Sequence, residues 1–439
     1  MLDIKFIREN SDLVKRAVSN KGLSLDIDKL LKLDEQRRKL KTEQQELQAQ
    51  KNLASKEIPK LSDTEKKKRI AEMKKVDVRS EKIKKELVDM ETEYQGIMLQ
   101  VPNIPSDDTP VGPDEKANLE IGKFGEIPQF DFKIKSHIEL GTALGLLDLG
   151  RGVKVSGFRG YFLKNEAVTM HFGVLMLALQ KLIKAGFTPL VPPTLVRESV
   201  LVGSGHFPFG KEEIYQIKKG MYEVEFGKEI PAEARELGNI YLAGTSEPSL
   251  LAYHSNEILN EKDLPVKLCG ISPCYRSEVG SYGKDTKGVY RIHEFMKVEQ
   301  VVFCENSIET SMKLMAELEE ISKEILEELR LPYRIVANST GDMGAGKYAM
   351  HDIETWMPAR GSYGETHSNS ALTDWQARRL NIRYKTKDGS IKFVHTLNNT
   401  AIASPRILIA IWENYQKEDG SIEVPKVLRE YVGKDVVKI

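Results

Sequence analysis

Three cysteines in 439 residues, Cys269, Cys274 and Cys304, are too few and too irregularly spaced for a disulfide framework or a zinc knuckle. They read as small buried apolar side chains in a reducing compartment. Net charge is missing as well: Lys+Arg and Asp+Glu balance at 65 each, so global charge names no partner. No apolar run approaches the length of a membrane span, and MLDIKFIRENSDLVKRA threads charges through its apolar residues where a targeting segment would keep an uninterrupted core. A cytoplasmic protein without membrane contact is the expectation. A chain of 439 residues is also longer than one compact core usually grows, which favours two domains.

Glycine almost disappears over residues 28–97, a stretch dense in Lys, Glu, Gln and Leu, the composition of long exposed helices. Leu33, Leu40, Leu47 and Ala54 recur seven apart in a first arm, and Ile83, Leu87, Met90, Tyr94 and Ile97 recur at spacings of four and three in a second. Both are coiled-coil seams. Between them IPKLSDTEKKK supplies a proline and a Ser/Asp/Thr cluster at which the chain can reverse. The expected shape is an antiparallel helical hairpin with arms of about 30 residues, roughly 45 Å long. Over residues 37–85, 17 Lys+Arg stand against 8 Asp+Glu, a local excess of +9. Such an excess fits either a solvated helical face or a finger laid against a polyanion.

After Ile97, VPNIPSDDTPVGP carries Pro102, Pro105, Pro110 and Pro113 and reads as a stiff extended linker at a domain boundary. Beyond it glycine returns. Short β-like runs such as YRIVA and VKLCGIS are interspersed with helical stretches such as AVTMHFGVLMLALQKLIKAG, without strict alternation. The expected fold class is α+β with a mainly antiparallel sheet.

One nucleotide-binding motif is present only in part. GDMGAGKY, residues 341–348, has the glycines and lysine of a phosphate-binding loop, but Tyr348 stands where a small hydroxyl would hold Mg²⁺. Behind it HDIETWMPA reads as a strand ending at Pro358, where such a loop must open a helix, so a glycine-bearing turn is the better reading.

Three other segments carry convergent chemistry. YRSEVGSYGKDTKGVYRIHEFMKVEQ, residues 275–300, reads as two strands about a Gly- and Lys-rich loop. If residues 289–300 form a strand, Arg291, His293, Phe295, Lys297 and Glu299 share one face and Tyr290, Ile292, Met296 and Val298 the other. In LNNTAIASPRILIAIWENYQ, Ser404 reads as a helix N-cap and Pro405 as the first helical position, so Arg406 adds charge to the positive end of a buried helix, a placement that an anion explains. GETHSNSALTDWQARR offers Glu365 and Ser368, whose oxygens suit Mg²⁺, although E-x-x-S alone equally describes a helix capping pair.

Together these segments resemble the class II aminoacyl-tRNA synthetases. YRSEVGSYGKDTKGVYRIHEF is similar to motif 2, TAIASPRILIAIWENYQ to motif 3 and LMLALQKLIKAGFTPLVPPTLV to motif 1. Their order and spacing, AGTSEPSL as a T-x-E segment and the basic N-terminal hairpin resemble the seryl-tRNA synthetase family over essentially the whole chain. The resemblance implies activation of L-serine by ATP to seryl-adenylate and transfer to the 3′ end of tRNA(Ser), and of tRNA(Sec) where present, by a homodimer joined through motif 1. It implies a tRNA-binding helical domain over residues 1–105, a linker over 106–130 and a class II catalytic domain over 131–439.

The same resemblance assigns the ATP α-phosphate to Arg276 with Ser277 and Glu278 nearby, adenine stacking to Phe295, a backbone contact to Ile292 and the γ-phosphate to Arg406. Glu365 and Ser368 would hold Mg²⁺, with Thr366 and His367 between them on the nucleotide wall. Serine would lie among Thr245, Ser246, Glu247, Glu299, Asn398 and Thr400, with Arg276 near its carboxylate. Arg276, Arg406 and Glu299 would carry the chemistry. No zinc is implied, because the T-S-E segment and the absence of suitably spaced cysteines match the common zinc-free form. On the residues alone two other readings stay open: a tRNA-binding or regulatory protein that keeps the fold without activity, and a mechanochemical NTPase with a coiled-coil arm.

Overall fold

The glycine-poor stretch folds as the two long helices its seams predict. The structure is a computed structural model that describes residues 1–218, 239–279 and 287–439. They form two units, Met1–Ser19 with Leu23–Pro102, and Asn20–Gly22 with Asn103–Ile439. The first contains α1 (Ile4–Glu9), α2 (Ser11–Asn20), α3 (Ile27–Glu57) and α4 (Asp63–Met98). At 31 and 36 residues, α3 and α4 run about 46 and 54 Å. The reversal follows the sequence signals: a 3₁₀ turn at Ile58–Lys60, then Ser62 closing a capping box with Glu65. Ala54, Ile83, Leu87 and Tyr94 are buried in the seam, and Leu33, Leu40, Leu47, Met90 and Ile97 half-buried. Asp34, 1% exposed, accepts from Arg38 at 3.0 Å and lies 3.5 Å from Arg8, while Arg37 crosses to Glu91 at 2.7 Å over the Tyr94 ring. Further out Arg79 grips both oxygens of Glu43 at 2.6 and 2.7 Å.

The second unit is built on an eight-stranded sheet. Its strands are β1 (Leu119–Phe124), β2 (Thr188–Leu190), β3 (Val266–Tyr275), β4 (Glu294–Cys304), β5 (Tyr333–Ala337), β6 (Ala349–Met357), β7 (Ser362–Ala371) and β8 (His395–Ser404). The order across the sheet is β1-β5-β6-β7-β8-β4-β3-β2, antiparallel except between β2 and β3. This is the expected α+β class. The helices that matter for the site are α5 (Glu166–Lys184), α6 (Glu247–Ala252), α7 (Ile308–Glu328) and α8 (Arg406–Asn414). Apolar residues of α5, α7 and α8 pack with Val298, Val302, Leu397 and Ile402 into the main core. A row of amides ties α7 down: Asn369 donates to the Met315 carbonyl at 2.9 Å, and Asn399 to the Leu318 carbonyl at 2.7 Å and to Ser322 at 3.0 Å. Contrary to the sequence expectation, α5 is long and apolar enough to span a membrane. Its Ala167, Met170, Val174, Leu175, Ala178 and Leu182 are instead buried in this core.

Several sequence expectations are corrected. Residues 106–130 do not form a free linker, because their backbone groups find partners: β1 is an edge strand paired with β5, and Thr340 and Gly341 donate to the carbonyls of Pro110 and Gly112 at 2.8 Å each. β4 begins at Glu294, so Arg276, Glu278, Arg291 and His293 belong to the connection from β3, of which residues 280–286 lie outside the described chain. From Phe295 onward the expected alternation holds. Ser404 does not cap α8; it ends β8, with its hydroxyl 2.8 Å from His171 Nδ1, and Arg406 opens the helix. Glu365 and Ser368 lie on a strand rather than on a helix.

Residues three apart on a regular strand point to opposite faces, and β7 escapes this through a bulge at Thr366, where its register against β6 shifts. A second bulge falls at Ala401 of β8. His367 joins them: its Nε2 donates to the Ala401 carbonyl at 3.1 Å, and its Nδ1 lies 2.8 Å from the Thr366 hydroxyl. Burial lowers both His367 and His171 from 6.5 to about 4.

Two predictions follow from these polar contacts. Asp34→Ala should weaken the α3–α4 pair by about 2–3 kcal/mol, because it strands arginines around a buried site, whereas Glu43→Ala should cost under about 1 kcal/mol at the exposed pair. Amide hydrogen exchange along the hairpin separates the two. Stability should also decline as pH falls from 6.5 towards 4, the window in which the unfolded chain protonates imidazoles that the folded chain keeps neutral. The loss is at most about 3 kcal/mol per histidine. Denaturant titrations of His171→Gln and His367→Gln should show a shallower decline, and an undiminished slope in both would contradict the assignment.

Candidate active site

Alternation along β4 decides which side chains meet on the sheet face away from α7. Gln300 donates toward α7, to Ser322 at 3.3 Å, so Phe295, Lys297 and Glu299 point the other way, into a cavity. Asn398 and Thr400 of β8 line the same cavity, and the bulge at Ala401 lets Ala403 continue the wall to Arg406. On β7 the bulge at Thr366 does the same for Glu365 and Ser368. From outside the sheet come Thr245, Glu247, Arg276, Glu278 and Ile292.

Thr366 and His367 also border the cavity, although their polar side-chain atoms are engaged in bracing the two bulges. Two residues singled out from the sequence do not reach it. Ser246 is buried with its hydroxyl donating to the Gly270 carbonyl at 3.4 Å, and Ser277 gives its hydroxyl to the Glu212 carbonyl at 2.7 Å and its N–H to Glu213 at 2.9 Å.

At one end the cavity holds two buried carboxylates in different states. Glu247 Oε1 accepts from Gln376 at 2.8 Å and Asn398 at 3.0 Å. Although burial pushes it upward, the charges of Lys347, His206 and Lys297 and the Gln376 bond bring it below the usual carboxylate range. Glu299 pairs with Lys297 and accepts from the Thr400 hydroxyl at 3.3 Å. Burial still outweighs Lys297 there, and the neighbouring Glu247 adds to it, so Glu299 is shifted upward. Glu247 is therefore shifted toward its anion and Glu299 toward its protonated form.

The other end is rich in guanidinium. Arg276 lies 5.3 Å over the Phe295 ring and donates Nε to the Gly244 carbonyl at 3.3 Å. Among the described residues it closes no ion pair. Arg406 donates to the carbonyls of Tyr290 at 3.2 Å and Glu365 at 3.0 Å, and lies 3.7 Å from the Glu365 carboxylate. Glu278, at φ 52°, sits 3.6 Å from Arg291 and 3.5 Å from Arg159. Those carboxylate–arginine pairs are made within the protein.

Asp352 faces Ser368 across the ladder, and burial followed by the Glu365 charge hold its carboxyl well above the usual range. Among the described residues no cluster of three or more His, Cys, Asp or Glu side chains is arranged to hold a metal. Two oxygens on one wall, Glu365 and Ser368, instead fit a divalent ion completed by phosphate oxygens and water.

The sequence reading missed two polar residues of this cavity. His206 and Lys347 border it, and Lys297, expected on this face, holds Glu299 directly. His206 left no signal. Lys347 lies in GDMGAGKY, which forms a turn leading into β6 as expected. Packing explains two of its three glycines: a Cβ on Gly346 would come within 2.7 Å of the Trp375 ring, and one on Gly341 within 2.3 Å of the Pro113 carbonyl. The lysine is what that reading left unexplained.

Comparison with known proteins agrees with this geometry. Residues 1–105 match the family model described as the seryl-tRNA synthetase N-terminal domain, and residues 222–415 match the tRNA synthetase class II core domain (G, H, P, S and T). A serine–tRNA ligase of Deinococcus radiodurans is 42% identical over 99% of this chain and 98% of its own, and one of Borrelia garinii subsp. bavariensis is 43% identical over the same shares. The crystal structure of seryl-tRNA synthetase from Pyrococcus horikoshii complexed with ATP superposes with a TM-score of 0.88 at 36% identity, covering 100% of this chain and 99% of its own. A basic helical hairpin, a mainly antiparallel sheet bearing a two-ended polar cavity, and similarity that runs the full length of the chain place it in one group: it belongs to the seryl-tRNA synthetase family.

Proposed function

We propose that this protein is a serine–tRNA ligase, which joins L-serine to ATP as seryl-adenylate and passes the seryl group to the 3′ end of tRNA(Ser), and of tRNA(Sec) where present. The cavity carries the reading: one end offers an ionised carboxylate and a hydroxyl-bonded carboxyl to a small amino acid, and the other offers two arginines to a polyphosphate. Thr245, Glu247, Glu299, Asn398 and Thr400 take the amino acid. Arg276 takes the α-phosphate and the serine carboxylate, Phe295 stacks on adenine, Ile292 meets the nucleotide through its backbone, Glu278 lies alongside, and Arg406 takes the γ-phosphate. Glu365 and Ser368 hold Mg²⁺, which when bound neutralises phosphate charge. The serine carboxylate attacks the α-phosphorus in line and pyrophosphate leaves; the tRNA 3′-hydroxyl then attacks the acyl carbon, the acyl–phosphate bond breaks and AMP leaves. No protein nucleophile takes part, and orientation and charge stabilisation supply the acceleration.

Residues 1–105 form the tRNA-binding part in this reading, with the +9 hairpin lying against phosphates, and residues 131–439 form the catalytic part. Two copies join through motif 1: Ile183, Val191 and Leu195 are 46%, 84% and 54% exposed within it, apolar side chains that a second copy would cover. The setting is the cytoplasm.

Serine-dependent exchange of pyrophosphate into ATP is the test. Arg406→Ala should abolish most exchange without lowering the melting temperature appreciably, since the apolar face of α8 is untouched; exchange within threefold of wild type would remove Arg406 from the site. Thr400→Val should raise the serine KM and shrink discrimination against alanine, which a hydroxyl-binding site can sustain at about 10⁴. An unchanged kcat/KM ratio would assign selectivity elsewhere.

Deleting residues 39–82 and closing the stub with a short turn should leave exchange near normal. Aminoacylation should meanwhile collapse, mainly through the tRNA KM, and in the full chain that KM should rise steeply with salt. Equal charging by both forms across a salt titration would make the hairpin a solvated coiled coil only.

A further inference from the structure

The GDMGAGKY turn is held more firmly than a surface turn needs to be. Lys21, of the Asn20–Gly22 segment that belongs to the second unit, is 7% exposed and aims its ammonium at three carbonyls of the turn: Lys347 at 2.6 Å, Ala345 at 3.0 Å and Gly344 at 3.5 Å. Asn103 grips it again, donating its N–H to Ala345 at 2.9 Å and its side-chain amide to Gly346 at 3.1 Å and Leu372 at 2.9 Å. Gly346 meanwhile lies against Trp375. Burying a lysine to hold three carbonyls is costly, and the side chain that the turn thereby fixes in place is Lys347, which lines the cavity beside Glu247.

We infer that Lys347 is a positioning residue of the amino-acid site: Lys21 and Asn103 clamp its turn so that its ammonium stands on the wall it shares with Glu247, the carboxylate that takes the amino group of serine. The inference rests on the serine-ligase reading and deepens it. Glu247 is buried, and the groups that act on it from all sides are Lys347, His206, Lys297, Arg276 and Glu299. Lys297 is committed to Glu299, and burial shifts His206 downward, toward its neutral form. Arg276 stacks at the nucleotide end. Lys347 is the cation left for Glu247, and it heads the influences that lower it. No ion pair closes between the two among the described residues, so Lys347 acts through a distance at which Glu247 keeps its oxygens for Gln376, Asn398 and a ligand.

The test is the pH profile of kcat/KM for serine in pyrophosphate exchange, with ATP saturating. Lys347→Met should raise the serine KM tenfold or more and leave the ATP KM within twofold. Its acid limb should move toward neutral pH, because Glu247 freed of that cation protonates at higher pH. Lys347→Arg should restore the limb. Lys21→Met should shift it in the same direction by less. Should Lys347→Met melt early, Lys347→Gln carries the same comparison. A serine KM and acid limb unmoved in a variant that melts like wild type would overturn the inference while the ligase reading stands. Wild type without serine-dependent exchange would overturn both.

Discussion

Two carboxylates buried in one cavity repel each other and lose their hydration, so a fold that keeps Glu247 and Glu299 together must surround them with cations and donors. Lys297 answers Glu299 from two residues away on the same face of β4, and Thr400 adds its hydroxyl from the neighbouring strand. Glu247 is held by the amides of Gln376 and Asn398. With those donors fixed, Glu247 is shifted toward its anion and Glu299 toward its protonated form.

Regular strands could not have built the remaining wall. Period-two alternation sends Glu365 and Ser368 to opposite faces, and it would turn the end of β8 away from the cavity before it reached Arg406. One extra residue in each strand, Thr366 and Ala401, cancels that. His367 spans the two bulges and stays neutral because it is buried. The side chain is structural, and its influence on the guanidinium-rich end of the cavity runs through the backbone it braces.

The sequence was most informative where chemistry and periodicity coincided. The hairpin seam at Ile83, Leu87 and Tyr94, the α+β class and the face shared by Phe295, Lys297 and Glu299 all follow from spacing. Arg276, Glu299, Thr400 and Arg406 could be named because motif segments place them, and all four border the cavity. Bulges were illegible, since nothing in GETHSNSAL or NNTAIAS marks the extra residue; E-x-x-S was therefore ambiguous between strand and helix. Ser404 looked like a cap because Ser before Pro is a good helix start, but a buried His171 offered its hydroxyl a partner and kept it in the strand. Lys347 was set aside with its loop. Gly341 and Gly346 beside it are there for packing, and only the tertiary placement of Lys21 and Asn103 shows how firmly the turn that carries the lysine is held.

The account's central claim is that one cavity orients serine and ATP end to end. A crystal structure with a non-hydrolysable seryl-adenylate analogue examines this most directly. The account predicts the seryl ammonium against Glu247 and Thr245, the seryl hydroxyl between Glu299 and Thr400, the phosphate against Arg276 and the adenine on Phe295. An analogue bound with its seryl group away from Glu247 and Glu299, or its adenine off Phe295, would contradict it.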